Sequence, residues 1–230
     1  MKTKHIFFII ALAAVFTSCL PENNPPEPTY PTSLGTVDNP LESNLFTLIG
    51  DDGITYLVRE TQFPDFKPKT ETRLALVYNL LSKNDTTKRY EIRLVNGVVF
   101  MTNNVLPLTK AVADTIGNDP VSNVDMYIAS HFLNVNFTFY ASGTKAHYFN
   151  LVRPDTLIAD NSLDTIKLEF RHNAKSDNSM YNFSNTVCFN ISELKRFSIN
   201  PDSIRLEISV METQDYGLPV VKKYNKTYKF

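Results

Sequence analysis

The residues with the clearest chemical potential form a polar cluster, His172, Asn173 and Asp177, that follows an alternating run of apolar residues. An imidazole beside a carboxylate can bind a ligand, hold a metal or take part in acid–base catalysis. Alternation places His172 on the same strand face as the apolar residues of 166–170, so it points inward. We therefore expect a buried imidazole, hydrogen-bonded to the backbone or to Asp177, that shapes the loop 173–179. A ligand-binding loop is the alternative, and a metal or catalytic site is a third.

Other residues that can serve a metal or act as nucleophiles lack the usual spacing. His131 and His147 form a second candidate pair, but no His-x-x-x-His or Cys-x-x-Cys motif accompanies them. Asp51 and Asp52 lie between two glycines, a combination that favours a turn over a metal site. A Ser-His-Asp triad stays open because its members need not be close in the chain, although a Gly-x-Ser-x-Gly motif is absent. We predict no metal, no cofactor, no catalytic residue and no enzymatic activity.

The N-terminus predicts an export signal and a site of lipid attachment. Lys2 and Lys4 precede an apolar run, residues 6–16, and the sequence FTSC then ends at Cys19. This segment resembles a bacterial lipobox, although Leu is commoner than Phe at its first position. It implies that the signal peptide, residues 1–18, is removed and that Cys19 is diacylated, which anchors the chain at the outer membrane. A plain signal peptide is the alternative, and the side of the membrane that the protein faces stays open.

The lipobox is followed by a spacer, and the chain contains one further cysteine. Residues 19–35 include the sequence LPENNPPEPTYP, whose prolines are typical of an extended, semi-rigid linker. If Cys19 carries lipid it cannot form a disulfide, so Cys188 is predicted to be a free thiol. We expect Cys188 to pack as a small residue on a strand rather than to act as a nucleophile.

The composition favours β-strands and argues against a nucleic-acid partner. Short runs rich in Val, Ile, Thr, Tyr and Phe recur along the chain, which has 16 Phe, 11 Tyr and only 7 Gly. The 23 basic and 24 acidic residues give a formal net charge of -1. The excess positive charge that drives binding to phosphates is therefore missing. No second apolar run reaches the about 18 residues that a membrane-spanning helix needs.

The strand and turn patterns predict an all-β chain with two domains. Residues 36–106 hold about five strands, the size of a small OB-like barrel. Residues 50–53 and the pair Asn96-Gly97 are predicted to be the turns of two hairpins. Residues 107–123 break the strand pattern and are predicted to be a linker. Residues 124–230 show about seven strands with one apolar and one polar face, which favours an antiparallel β-sandwich.

These segments, in this order, resemble the NigD-like lipoproteins of Bacteroides and its relatives. The resemblance spans nearly the whole chain and implies an N-terminal OB-like domain and a C-terminal β-sandwich. Where such proteins usually have Ser, this chain has Cys188. The family has no established biochemical activity, and its name comes from a gene cluster linked to a bacteriocin, which implies an accessory or immunity-type role at the envelope. The resemblance rests on the lipobox and spacer, the barrel strands, and the sequences DTIGNDP (114–120), FLNV (132–135), LEFRHNA (168–174) and VCFNIS (187–192).

Five Asp-Ser/Thr triplets look like the short acceptor motif of O-glycosylation in exported Bacteroides proteins. The same residue types also occur where a turn passes into a strand, so both interpretations stay open. The candidate acceptor hydroxyls are those of Thr86, Thr115, Thr156, Thr165 and Ser203.

The lipid anchor, the spacer and two compact β-domains favour a non-enzymatic binding or interaction module of the cell envelope. Loops and exposed faces of such scaffolds commonly carry function. The expected partner is an unknown protein or a glycan, and nucleic acid is excluded by the charge balance. A glycan-binding surface lipoprotein is the first alternative, and an outer-membrane β-barrel and a hydrolase rank lower.

Overall fold

A computed structural model describes most of the chain downstream of the predicted anchor. The predicted signal peptide (1–18), Cys19 and the spacer up to residue 29 lie outside the described residues. Within the part of the chain that is described, no helix has the length and hydrophobicity needed to cross a lipid bilayer. The described residues are 30–40, 45–154, 158–177, 181–213 and 217–230.

The first part of the chain folds into a closed five-stranded barrel. Its strands are β1 (Thr32–Pro40), β2 (Phe46–Gly50), β3 (Thr55–Thr61), β4 (Arg73–Asn84) and β5 (Arg89–Val99). They follow one another in the order β1-β2-β3-β5-β4, and β4 pairs with β1 to close the barrel. Alternate side chains point to the interior, where Leu48, Tyr56, Leu74 and Ile92 are buried. The predicted small barrel is therefore confirmed.

The rest of the chain forms two sheets that pack face to face as a sandwich. Their strands are β6 (Met101–Asn104), β7 (Leu106–Pro107), β8 (Ser122–Ala129), β9 (Phe132–Ala141), β10 (Tyr148–Arg153), β11 (Thr165–Asn173), β12 (Tyr181–Asn190), β13 (Ser203–Glu212) and β14 (Val220–Lys229). A short helix α1 (Lys110–Ile116) follows β7, and a 3₁₀ helix (Ser192–Phe197) follows β12. One sheet has the order β14-β13-β11-β10-β7 and the other β6-β12-β9-β8, so the alternating strands form two open sheets.

The apolar faces of the two sheets meet in one core, because every long strand places alternate side chains on that face. Phenylalanine rings tie the sheets together. The ring centroid of Phe137, on β9, lies 4.7 Å from that of Phe149 on β10 and 5.1 Å from that of Phe170 on β11. Each such aromatic pair adds about 0.5–1.5 kcal/mol to the free energy gained from burial alone. The core therefore fixes how the two sheets align.

The sheets are mainly antiparallel, but they also contain parallel pairs. β11 pairs in parallel with β13, β12 with β6 and β10 with β7. Between β11 and β13 the chain crosses to the other sheet, forms β12 and the 3₁₀ helix, and returns. A pattern of alternating residues reveals which face is buried but not which strand lies alongside, so the sequence did not predict these pairings.

The strands of the two domains do not begin and end at the predicted domain limits. β1 begins at Thr32, ahead of the predicted start at residue 36, and β8 begins at Ser122, ahead of 124. The segment 101–104 and Leu106, predicted as part of the first domain, and Pro107, predicted as the start of the linker, pair with sandwich strands instead. The predicted linker contains α1. The sandwich is therefore completed by residues that directly follow the last strand of the barrel.

Of the two predicted hairpins, one is confirmed and one is wrong. The turn at 50–53 joins β2 and β3, which pair in antiparallel fashion. Asn96-Gly97 is not a turn, because β5 runs straight through both residues and pairs there with β4. The turn that joins β4 to β5 lies at 85–88. At Gly97 a Cβ atom would lie 3.1 Å from the ring of Phe66. The close packing of that ring against the strand accounts for the glycine.

Candidate functional site

The polar cluster predicted around His172 lies at one end of the sandwich and contains a second histidine, His147. Nδ1 of His147 lies 2.8 Å from Nε2 of His172, and Nε2 of His147 lies 3.1 Å from Oδ2 of Asp177. The same carboxylate oxygen accepts hydrogen bonds from the backbone N–H and the hydroxyl of Ser142, both at 2.8 Å. We call these four residues the His–Asp cluster. From the sequence, we expected His172 to bond to the backbone or directly to Asp177. In the structure, His147 lies between these two residues and bonds to both.

The protonation of the His–Asp cluster follows from its hydrogen bonds. The hydrogen bonds from Ser142, together with His147, lower the pKa of Asp177 to about 2, so Asp177 is ionised and can only accept. His147 must then donate from Nε2, and when neutral it accepts at Nδ1 from Nε2–H of His172. Nδ1 of His172 is buried without a hydrogen-bond partner among the described residues. Burial, and then the neighbouring His147, lower the pKa of His172.

The other predicted member of this cluster, Asn173, holds the linker against the sandwich. Its side-chain amide donates to the carbonyl of Thr115 at 2.6 Å and its side-chain oxygen accepts from the N–H of Lys175 at 2.8 Å. Next to it, the N–H of Asp119 donates to the carbonyl of His172 at 2.8 Å. Asn173 therefore positions residues 115–119 rather than facing an open site.

The His–Asp cluster is closed to solvent. The side chains of His147 and Asp177 are only 4% and 5% exposed, and His172 is buried and stacked on Phe149, with 4.9 Å between ring centroids. The prediction that His172 points inward is confirmed. The second candidate pair, His131 with His147, is wrong, since His147 pairs with His172. Among the described residues, no group of three or more His, Cys, Asp or Glu side chains is arranged to hold a metal ion.

A second buried polar network joins the barrel to the sandwich around Arg73. The guanidinium of Arg73, 0% exposed, donates from both terminal nitrogens to Asp51 at 2.7 and 2.6 Å. It also donates to the hydroxyl of Thr36 at 3.0 Å and, across the domain boundary, to the side-chain oxygen of Asn134 on β9 at 2.9 Å. The ring of Phe132 lies 5.3 Å from the guanidinium carbon. We call Arg73, Asp51, Thr36 and Asn134 the Arg73 network.

Arg73 keeps its charge because both of its terminal nitrogens are hydrogen-bonded, whereas its Nε has no hydrogen-bond partner among the described residues. Burial opposes the charge, but the hydrogen bonds and the negative charge of Asp51 outweigh it, so the pKa of Arg73 is raised. Tyr127 of β8 also donates its hydroxyl to Asp51, at 3.4 Å, and burial followed by that charge raises the pKa of Tyr127 to about 12. Contacts from both domains thus converge on one carboxylate.

Two predicted residues of interest lie at this same boundary. His131 bonds through Nε2 to the carboxylate of Glu71, which is a residue of the barrel domain. Cys188 is a free cysteine, fully buried on β12 beside Asn134, and burial raises the pKa of its thiol. The prediction that Cys188 packs as a small residue on a strand is confirmed. Asp52, the other turn carboxylate, accepts from the hydroxyl of Tyr56 at 2.6 Å and stabilises the β2–β3 turn.

A third feature is exposed and polar: the outward face of β9 and β12 beyond the barrel. Six side chains lie there in three cross-strand pairs. They are uncharged, and none is fully buried. We call this surface the outer polar face. Its pairs are Tyr140 with Asn182, Thr138 with Ser184, and Asn136 with Thr186.

Two clefts border the outer polar face. One, of about 490 Å³, lies over the pairs nearest the barrel and is lined by Phe100 at that end. The other, of about 720 Å³, begins at Tyr140 and Asn182 and reaches across the end of β8 to Glu212. The two clefts share Asn123, which has a positive φ of 51° and donates to the hydroxyl of Thr138 at 3.1 Å. We call the two clefts, which meet at Asn123, the sheet groove.

A protein-family comparison matches residues 104–219 to the NigD-like C-terminal β-sandwich domain. The chain belongs to the NigD-like family. The matched region begins at the end of β6, inside the segment that the structure assigns to the sandwich, and it contains the His–Asp cluster. A search of the curated proteins finds no match.

Solved structures extend the NigD-like likeness over both domains. A protein from Parabacteroides distasonis ATCC 8503, provisionally named toxin-related, is 25% identical with a TM-score of 0.70, over 86% of this chain and 92% of that one. A NigD-like immunity protein from Bacteroides caccae ATCC 43185 is 20% identical, with a TM-score of 0.67 over 86% and 97% of the two chains. A protein from Bacteroides fragilis NCTC 9343, provisionally named a lipoprotein, is 12% identical with a TM-score of 0.64, over 84% and 96%. The latter two likenesses concern the fold.

The candidate glycosylation sites of this NigD-like chain lie in different settings. Thr86 is exposed in the β4–β5 turn, and Thr115 is exposed in α1, where its hydroxyl donates to the carbonyl of Val112 at 3.0 Å. Thr165 and Ser203 are half-buried first residues of β11 and β13. Thr156 lies outside the described residues. Glycosylation stays a prediction, and Thr86 is the site with the most accessible surroundings.

The sequence analysis missed Arg73 and the role of Asn134. Alternation correctly placed Asn134 on the polar face of β9, together with Asn136 and Thr138. It did not reveal that the barrel covers one end of that face and buries Asn134 completely. An arginine at the first position of a strand is usually exposed to solvent. Nothing in the sequence therefore indicated that Arg73 is buried.

Proposed function

We propose that this NigD-like chain is a lipid-anchored binding module of the outer membrane that catalyses no reaction. One observation carries the proposal: the His–Asp cluster is buried, whereas an uncharged polar face lies open beside a groove. Ligand sites are concave, and a small number of placed polar groups fixes the orientation of the ligand. Cys19 is the proposed anchor, and two acyl chains would make membrane retention durable.

The burial of the His–Asp cluster supports a structural role for it. A general base must come within about 2.6–3.2 Å of the proton that it removes from a substrate. His147 and Asp177 spend their hydrogen-bonding atoms on His172 and Ser142, and their side chains are almost fully enclosed. A substrate could reach them only if this end of the sandwich opened.

The Arg73 network supports a role in display. Its hydrogen bonds cross from the barrel to the sandwich in a buried setting, so they fix one orientation of the two domains. A surface that is already ordered before binding loses less conformational entropy when a partner arrives. The two domains therefore act as one rigid support for the sheet groove.

Family membership supports an accessory or immunity-type role at the envelope. One similar structure is named an immunity protein and another is provisionally named toxin-related. For this chain we propose the same kind of role, in which binding to a protein or a glycan, rather than catalysis, provides the effect. The low net charge of -1 supports a partner other than nucleic acid.

Site-specific photo-crosslinking in living cells tests the binding role. A photo-reactive residue at position 184, exposed on the outer polar face, should capture a partner. The matched position is 167, exposed on the outward side of β11 in the other sheet, where capture should be weak. Equal capture at both positions, or none at either, would count against a dedicated binding face.

Activity-based profiling tests the absence of catalysis. Serine-reactive and sugar-based probes should leave the protein unlabelled. If the wild type is labelled and His172→Ala is not, the His–Asp cluster is catalytic and the proposal is wrong.

A further inference from the structure

We infer that the sheet groove binds a neutral, hydroxyl-rich chain, that is, an uncharged glycan. The inference rests on the proposed binding function and adds the class of ligand and the residues that contact it. The contacts would come from the outer polar face, chiefly from Tyr140 and Asn182, which line the larger cleft.

The charge of the groove selects for a neutral ligand. Among the described side chains that line it, only Glu212 and Lys222 are charged, and they are paired at 3.1 Å. Glu212 is 2% exposed and also accepts a hydrogen bond from the hydroxyl of Tyr224 at 2.5 Å. Its negative charge is therefore cancelled inside the groove. A phosphate, a carboxylate polymer or a basic peptide would find no opposite charge there.

The hydrogen-bonding groups of the outer polar face suit sugar hydroxyls. Amides and hydroxyls both donate and accept, as each sugar hydroxyl does. Thr186 and Thr138 are tied to neighbours, with Thr186 donating to Asn136 at 2.8 Å. The side chains of Tyr140, Asn182 and Ser184 make no hydrogen bond with any described residue, and all three are exposed. The strands hold these side chains in place, and their polar atoms can form hydrogen bonds with sugar hydroxyls.

The spacing of these groups suits an extended ligand. The three pairs repeat at every second residue, which separates them by about 6.6–6.8 Å along the strands. Tyr140, 43% exposed, adds an aromatic surface next to the Asn182 amide. A tyrosine ring combines an apolar face with a polar tip at a low cost in conformational entropy. The apolar faces of sugar rings can stack on such a ring while their hydroxyls reach the amides.

A protein partner fits this groove less well. Stable protein interfaces have an apolar or aromatic centre surrounded by a polar rim. The sheet groove is lined mainly by Asn, Ser and Thr side chains, and its four aromatic residues are divided between the two clefts, Phe100 and Phe137 in one and Tyr140 and Tyr224 in the other. Water-mediated and direct hydrogen bonds would dominate binding here, as expected for a neutral glycan.

Affinity electrophoresis of the purified full chain in mild detergent tests the inference. Native gels would contain dextran, laminarin, xylan or mannan as neutral probes, and alginate as an anionic one. We expect at least one neutral polysaccharide to retard the wild type and alginate to leave it unaffected. Asn182→Ala should weaken the retardation about fivefold, as expected for one lost hydrogen bond, and Tyr140→Ala by about fivefold to tenfold.

Tyr148→Ala is the matched control, since Tyr148 is similarly exposed but lies on β10 in the other sheet. It should bind as the wild type does. The inference is wrong if no neutral polysaccharide retards the wild type, if alginate alone does, or if Tyr140→Ala and Asn182→Ala both bind normally. Photo-capture of a protein from position 184 without glycan binding would keep the proposed binding function and overturn the glycan. If neither photo-capture from position 184 nor glycan binding is observed, both the proposed binding function and the glycan are overturned.

Discussion

Removing the carboxylate of Asp51 should strongly destabilise the protein, because it leaves the guanidinium of Arg73 buried and uncompensated. Arg73 is fully enclosed and makes two of its four hydrogen bonds to Asp51. Breaking a buried ion pair by removing one partner costs about 3–5 kcal/mol. For a chain of this size, that loss corresponds to a fall in Tm of roughly 6–20 °C. Asp51→Ala, measured by differential scanning calorimetry, should show a loss in this range.

The loss should also change how the two domains unfold. The Arg73 network links the barrel to β8 and β9, so the wild type should unfold in one transition. Asp51→Ala removes the contact with Tyr127 and the carboxylate that holds Arg73 in place, so the link is weakened and the barrel and the sandwich should separate into two transitions. Circular dichroism and calorimetry on the same samples would detect this separation.

Two variants provide the comparison for Asp51→Ala. Arg59→Met removes an ion pair to Glu91 that has the same charges but lies on the surface, so it should cost less than about 1 kcal/mol. In Arg73→Met the remaining Asp51 side chain is 18% exposed and keeps some contact with water, so the loss should be smaller than in Asp51→Ala. A loss below about 1 kcal/mol for Asp51→Ala would refute the argument that this pair controls stability.

Three further predictions concern a glycine, a histidine and the anchor. Gly117→Ala should cost about 2–4 kcal/mol in denaturant unfolding, because Gly117 has a positive φ and a Cβ there would lie 2.7 Å from Asn173 Cα. The pKa of His172 is lowered by burial, so the unfolded chain takes up this proton first and stability should fall as the pH drops below about 6.5. His172→Phe should reduce that fall in Tm measurements between neutral and mildly acidic pH. Cys19→Ala should abolish labelling by a palmitate analogue in growing cells.

Each of these predictions has its own control. Gly53 has a similar positive φ but open space around its Cβ, so Gly53→Ala should cost only about 1 kcal/mol, and equal losses would contradict the clash at Gly117. An unchanged pH profile in His172→Phe would show that other groups cause the acid sensitivity. An unlabelled wild type would return Cys19 to the plain signal-peptide interpretation.

Much of the fold could be predicted because alternation reports directly on burial. The apolar residues of β9, β11 and β13 that were predicted to face inward are the ones in the sandwich core. The β2–β3 turn was correct because Gly and Asp satisfy its backbone locally, with Asp52 accepting from the N–H of Ile54 at 2.9 Å. Local rules sufficed wherever the deciding interaction was local.

Prediction failed where a distant segment decided the outcome. Asn96-Gly97 has the chemistry of a turn, yet barrel closure requires a long β5 that pairs with both β3 and β4. His147 lies 25 positions from its partner His172, directly before the neighbouring strand β10, and only the pairing of β10 with β11 brings them together. The Arg73 network depends on how two domains dock, which no pattern within either domain records.

The position of β6 constrains the order in which the molecule can fold as it leaves the ribosome. All barrel strands are made before residue 100, so the barrel can close while the remainder is still being synthesised. β6 is synthesised directly after the barrel, but its partner strand β12 is synthesised much later. β13, which pairs with β11 in the five-stranded sheet, is synthesised later still. The sandwich must therefore stay open, with apolar strands uncovered, until nearly the last residue appears. Sheets that depend on such late, non-local pairings are prone to aggregation while their apolar strands are uncovered.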